Sequence, residues 1–196
     1  ETSPMLLQKS CHDMDIILWL MGKNCRRVQS FGSLRHFNAE NAPAGAPERC
    51  LDNCPHAETC PYYAPKLYMD MNRTGWPIDV ITTDMSLEGR RKALEEGPYG
   101  RCVYRCDNNV CDHMSMILEF DNEVTATFSL TAQTGPCHRD IRIMCEDGEI
   151  LADDAKRQIL IRKHFSSPND TFEERIINIR TNGSGHGGGD AGIMVA

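Results

Sequence analysis

Apolar positions along the first quarter of the chain fall at helical steps. Leu7, Met14, Ile17, Leu18 and Met21 recur three or four residues apart, which predicts a helix with one buried face, ending near Gly22. Arg26 to Phe37 reads as an extended segment whose apolar members are Val28, Phe31 and Leu34. From Asn38 to Pro65 the periodicity disappears into a passage rich in Pro, Gly and Cys, and a long loop inside a compact domain is usually functional or tied down. A short helix over Tyr62 to Met69 follows. Another is predicted over Ser86 to Glu96, with Ser86 as its N-cap and Gly97-Pro98 as its stop.

Beyond Arg101 the period shortens to two. Met114, Met116, Leu118 and Phe120 alternate with His113, Ser115, Ile117 and Glu119; after Asp121-Asn122 the alternation resumes at Val124, Ala126, Phe128 and Leu130, which predicts a hairpin. A second hairpin is predicted from Ile141, Ile143 and Cys145 through Asp147-Gly148, a dipeptide favoured in type I′ turns, to Ile150 and Ala152. Further strands are expected at Gln158 to Phe165 and Phe172 to Ile179. Helices followed by antiparallel strands, without a β-α-β rhythm, imply an α+β fold: an open, mainly antiparallel sheet with helices packed on one face. The other face carries Thr125, Thr127, Ser129 and Thr131 together with Ile117, a mixture suited either to solvent or to a partner sheet.

A length of 196 residues is enough for a single domain spanning 1–196 with a true core. The 21 Lys and Arg against 28 Asp and Glu give a formal net charge of -7, with no basic run interleaved with aromatics, so nucleic acid is not an expected partner. No apolar run approaches the length of a membrane span, and no secretory leader is recognisable, so a soluble, cytoplasmic protein is expected. Glu1 at the start, and a helix-like Ala191 to Ala196 at the end, suggest a segment excised from a longer chain. The ten cysteines are expected as reduced thiols, because disulfide frameworks belong mainly to short secreted chains without a core. Cys106, Cys111 and Cys145 sit in or beside apolar runs and are expected to act as small buried hydrophobes.

Three passages carry candidate chemistry. In the opening helix Gln8, Lys9 and His12 would share one face, so that an amide, an ammonium and an imidazole could meet one small molecule; an ordinary helix-start histidine is the plainer alternative. Near the end, Gly183, Gly185 and Gly188 formally satisfy G-x-G-x-x-G, but a dinucleotide fingerprint needs a β-α-β unit and an acidic residue about twenty positions further on, for which this sequence has no room. The remaining readings are a plain connecting loop or one that brings His186 and Asp190 to a ligand. Within the insertion at about 38–65, Cys50, Cys54 and Cys60 are compatible with zinc or an iron-sulfur cluster. Their spacing lacks paired C-x2-C units, and a fourth ligand such as His56, Cys11 or Cys25 must be supplied. The alternative is a loop pinned by Pro55, Pro61, Tyr62 and Tyr63 with free thiols.

The stretch Ser10-Cys11-His12-Asp13-Met14-Asp15 before an apolar helix resembles the H-D-x-D-L-L motif of the Gfo/Idh/MocA oxidoreductases. Arg101 to His113 followed by Glu119-Phe120 is similar to the segment leading into the sheet in one branch of that family, and Ser184 to Asp190 to the loop before its last helix. The resemblance implies the C-terminal substrate and oligomerisation domain of an NAD- or NADP-dependent dehydrogenase acting on a sugar, polyol or related hydroxy compound. The N-terminal Rossmann domain, which holds the nicotinamide cofactor, lies outside this sequence, so the fragment alone is expected to be inactive. By the same resemblance His12 is the catalytic proton-transfer residue, and Gln8 stands where the family has an acidic partner. Gln8, Lys9, His186 and Asp190 would contact the substrate, and the open sheet face would make a homo-oligomer. An NAD-using glycosidase of the same family and a non-catalytic, metal-stapled binding module remain as alternatives.

Overall fold

The structure, a computed structural model, describes residues 4–135, 137–167 and 170–180. The fold is α+β, with open antiparallel sheets and a few short helices. The chain divides into two compact units, Glu1–Gln133 and Thr134–Ala196. No helix among the described residues is long and apolar enough to cross a membrane.

The opening helix is two helices, α1 (Met5–Gln8) and α2 (Cys11–Met21). Lys9 takes φ −122° and Ser10 takes φ −95° with ψ 7°, so the ladder ends at Ser10 N–H on Leu6 and resumes with Met14 N–H on Ser10. An apolar series counted from Leu7 therefore does not stay on one face. Leu6, Met14, Ile17 and Met21 pack inward, while Leu7 is 64% exposed and Leu18 also faces outward. Gly22 closes α2 in the left-handed region at φ 58°, its N–H bonding to the Leu18 carbonyl, where a side chain would be strained.

The surface under α2 is a three-stranded sheet in the order β1 (Cys25–Ser33), β2 (His113–Phe120), β3 (Thr125–Thr131). β2 is central, and the alternation read from its sequence is present: Met114, Met116, Leu118 and Phe120 form the buried core. Ala126, Phe128 and Leu130 of β3 pack against it. The expected hairpin joins β2 to β3, with Glu123 at φ 62° in its turn. The opposite face is open and carries Phe31 and Ile117 among serines and threonines, together with an ion pair between Arg27 and Glu119.

Between β1 and β2 the chain forms a loop-rich region with two short helices, α3 (Ala64–Tyr68) and α4 (Leu87–Glu96). α3 has proline in its first turn, and α4 begins as expected, with Ser86 Oγ accepting the Gly89 N–H at 3.0 Å. Cys50, Ala64 and Leu94 make a second core, bordered by Leu51, Tyr63, Tyr68, Met69 and Ile81. Polar anchors complete it. The Arg90 guanidinium, 1% exposed, donates to the carbonyls of Tyr68, Asp70, Arg73 and Met85 at 3.0–3.2 Å.

In the second unit four strands form a meander, β4 (Asp140–Cys145), β5 (Gly148–Asp153), β6 (Gln158–Ser167) and β7 (Asp170–Asn178). Cys145 pairs with Gly148, so the turn residues are Glu146 and Asp147, one position earlier than the Asp-Gly dipeptide suggests. Gly148 is required for a different reason: a Cβ there would stand 2.0 Å from the Arg162 carbonyl oxygen. One sheet face carries Ile141, Ile143, Ile150, Ile159 and Ile161 in register. The other carries an ionic ladder in which Glu149 bonds to Arg142 at 2.8 Å and to Arg162 at 3.1 Å, and Arg162 to Glu174 at 2.7 Å.

Candidate functional site

The cysteine loop is organised by a backbone bridge that its spacing does not announce. Arg49 pairs with Arg101, the Cys50 N–H donates to Gly100 O at 2.9 Å, and the Cys102 N–H donates to Glu48 O at 2.8 Å. This sets Cys50 beside Cys102, 52 positions further along the chain. Downstream, turn bonds from Ala57 to Cys54 and from Cys60 to His56 fold the loop back, so that Cys50, Cys54, Cys60 and Cys102 all line one small cavity of about 20 Å³. Cys50 is buried, and burial pushes its thiol pKa up; the Ala64 N–H on the sulfur opposes this, and the neighbouring Cys102, Cys54 and Cys60 add to it.

Of the fourth ligands suggested by sequence, His56 lines the cavity but its Nε2 bonds to the Ala44 carbonyl at 2.8 Å. Cys25 packs instead against the β2 core, and Cys11 is exposed at the start of α2. All ten cysteines are free thiols. Among the described residues, no three His, Cys, Asp or Glu side chains stand in metal-holding geometry. Cys145 is exposed rather than buried, because β4 places it at the strand end, and the Cys106 thiol donates to Cys102 O at 3.3 Å. Arg49 lines the same cavity; its Nη2 is bonded to the Leu94 and Gly97 carbonyls, and its buried Nε has no partner.

A larger cleft, about 800 Å³, lies beside this knot. Tyr62, Tyr68 and Tyr99 give it aromatic surface, and Arg73, Arg101 and Asn108 give it hydrogen-bonding groups. Arg101 is fixed by Asp107 at 2.9 Å, which holds the Asp107 carboxyl below its ordinary pKa. Flat rings interleaved with planar polar groups suit a polyhydroxylated ligand: rings cover C–H faces while the fork of an arginine meets hydroxyl or acidic oxygens. Sequence reasoning missed this grouping, whose residues come from α3 and the segments on either side of it, from the turn after α4 and from the loop before β2.

The opening-helix residues meet differently from expectation. Gln8 belongs to α1 and His12 to the exposed first turn of α2, and because the ladder breaks between them they do not share a helix face. Lys9 lies at the break, with Nζ 5.8 Å from the centre of the Trp76 ring, a cation–π distance. None of the three lines the large cleft. His186 and Asp190 lie outside the described residues.

One further constellation went unread. Asp112, 4% exposed, accepts the N–H groups of Arg35, His36 and Phe37 at 2.6–3.1 Å and His113 Nδ1 at 2.9 Å; His113 Nε2 stands 3.4 Å from Ser33 Oγ. Burial pushes the Asp112 pKa up, but these hydrogen bonds outweigh it and leave the carboxyl well below the usual range. The order serine, histidine, aspartate is that of a nucleophilic relay. Here the serine contact is long and neither cavity includes the three residues, so the row acts as a clasp between the end of β1 and the start of β2.

No family model matches the chain, and no curated protein matches it significantly.

Proposed function

We propose that this chain is the substrate-binding and oligomerisation part of a cytoplasmic NAD- or NADP-dependent oxidoreductase that acts on a sugar, polyol or related hydroxy compound. The observation that carries the reading is the placement of the Ser10 to Asp15 motif. It opens an exposed helix turn, and that helix packs by Met14, Ile17 and Met21 on one face of an open antiparallel sheet, the layering that the resemblance implies. A histidine imidazole can accept the hydroxyl proton as hydride leaves carbon and return it in reverse. In this reading a Rossmann domain outside the sequence holds the nicotinamide, and its half of the site meets His12. The open face, with Phe31 and Ile117 projecting, would take a second copy of the domain.

The test uses the full-length protein with a panel of sugars and polyols, following nicotinamide absorbance. His12→Ala should lower turnover by about 10² to 10⁴-fold while cofactor affinity stays near wild type, because proton transfer is a transition-state role. Turnover unchanged by His12→Ala, with a good substrate in hand, would remove the assignment.

The large cleft favours a second reading, a carbohydrate-binding module without catalysis, because its tyrosines and arginines are assembled apart from His12. Calorimetry separates the two. Sugar binding that is abolished by Tyr99→Ala, with no nicotinamide-linked turnover in the full-length protein, would establish the binding module.

A further inference from the structure

We propose that Cys50, Cys54, Cys60 and Cys102 bind a single zinc ion as four thiolates, stapling the loop-rich region to the segment that leads into β2. Four independent features of the fold converge on this. The first is placement: four thiols from two distant segments line one cavity, and Cys50 and Cys102, which come from the two segments, are held to each other by two backbone hydrogen bonds. The second is size. About 20 Å³ holds one water-sized sphere, which fits a single ion and not a cluster of several iron and sulfur atoms.

The third is an orphaned donor. Arg49 lines this cavity and its Nε is buried with no acceptor, and a buried N–H of a charged group without a partner is costly. A neutral thiol is a weak acceptor, whereas a metal-bound thiolate is a good one. Four thiolates around Zn²⁺ leave a net charge of about −2, which the guanidinium partly offsets. The fourth is number: the four thiols complete a tetrahedral shell without His56, whose Nε2 holds the Ala44 carbonyl, and Cys106, which donates to Cys102 O, is not part of the cavity lining.

Zinc is preferred to harder ions because the donor set is all sulfur and four thiolates match the tetrahedral shell that zinc takes in structural sites. Binding needs the four thiols to turn inward until each sulfur is about 2.3 Å from the ion; the Arg49–Arg101 bridge can stay as it is. As each Zn–S bond forms, one proton leaves the thiol for solvent, and no electron is transferred. The inference does not depend on the oxidoreductase reading.

The experiment is elemental analysis of the full-length protein purified without added metal. About one zinc per chain is expected. Cys54→Ser and Cys102→Ser should lose it, while His56→Ala and Cys145→Ser keep it. Because a ligand variant can fail to fold, wild type is also alkylated before and after chelation and its labelled peptides are mapped. Cys50, Cys54, Cys60 and Cys102 should become reactive together only once the metal is stripped. Wild type free of zinc, zinc retained by Cys102→Ser, equal labelling before and after chelation, or stoichiometric iron with sulfide would each overturn the proposal.

Discussion

The β1–β3 sheet and the loop-rich region between β1 and β2 belong to one compact unit but hold their backbones in opposite ways. In the sheet, ladder bonds satisfy the peptide groups, so side chains are free to be apolar, and Met114, Met116, Leu118 and Phe120 need only alternate. The loop region has no ladder beyond the single Arg49–Arg101 bridge among the described residues. Its peptide groups are met by local turn bonds and by charged and amide side chains: Arg90 on four carbonyls, Arg49 on two, Asp112 on three N–H groups, and Asn41 on the carbonyls of Arg35 and His36. A sheet core is therefore tolerant of chemistry that conserves volume, whereas a knot of this kind depends on particular atoms.

Arg90 gives the sharpest test of that difference. Arg90→Met keeps much of the side-chain volume but strands the carbonyls of Tyr68, Asp70, Arg73 and Met85, and should cost about 4 kcal/mol, nearly as much as Arg90→Ala. Urea unfolding with an unchanged slope would measure it. A near-neutral Arg90→Met would break the comparison, since it would mean that the knot too is held by volume.

Phe120, 0% exposed at the end of β2, is the counterpart in the sheet. Phe120→Ala should cost about 3–4 kcal/mol through lost burial and a residual cavity, whereas Phe120→Leu should recover most of that. The spread between alanine and the apolar replacement is thus wide at Phe120 and narrow at Arg90. Equal spreads would show that the two regions are not distinguished by how they satisfy their backbones.

The same difference explains what could be read in advance. Period-two alternation located β2 and β3, and local stop and start signals located α4 from Ser86 to Gly97, because those elements are specified by their own residues. Asp147-Gly148 was a turn signal read one residue out of place, since Gly148 answers to the Arg162 carbonyl across the sheet and not to the turn. The break at Lys9–Ser10 left no Pro or Gly behind it, so Gln8 and His12 read as one helix face. Cys50, Cys54 and Cys60 were visible as a set, but Cys102 was not, because a single pairing of residues 49 and 101 has no local pattern. Arg90 and the large cleft were invisible for the same reason: their partners lie on loops tens of residues away.

Asp112 offers the finest test, because it sits where the two regions meet. Its carboxylate takes N–H groups from residues 35–37 of the loop region and a bond from His113, the first residue of β2. Its folded pKa is depressed, so its stabilising contribution is complete above the unfolded-state value of about 3.9 and is lost as pH falls from there through the folded value. At neutral pH Asp112→Asn should cost about 2–3 kcal/mol, since an amide presents one oxygen where three N–H groups point and turns an NH₂ toward the rest. The gap between wild type and variant should narrow as pH drops below about 4, where the unfolded wild-type chain takes up a proton at Asp112 while the folded carboxyl is still charged. Urea midpoints for both proteins between neutral and acid pH check this. A gap that stays constant across that range would mean the charge of Asp112 contributes nothing, and that the junction is held by packing, as the sheet is.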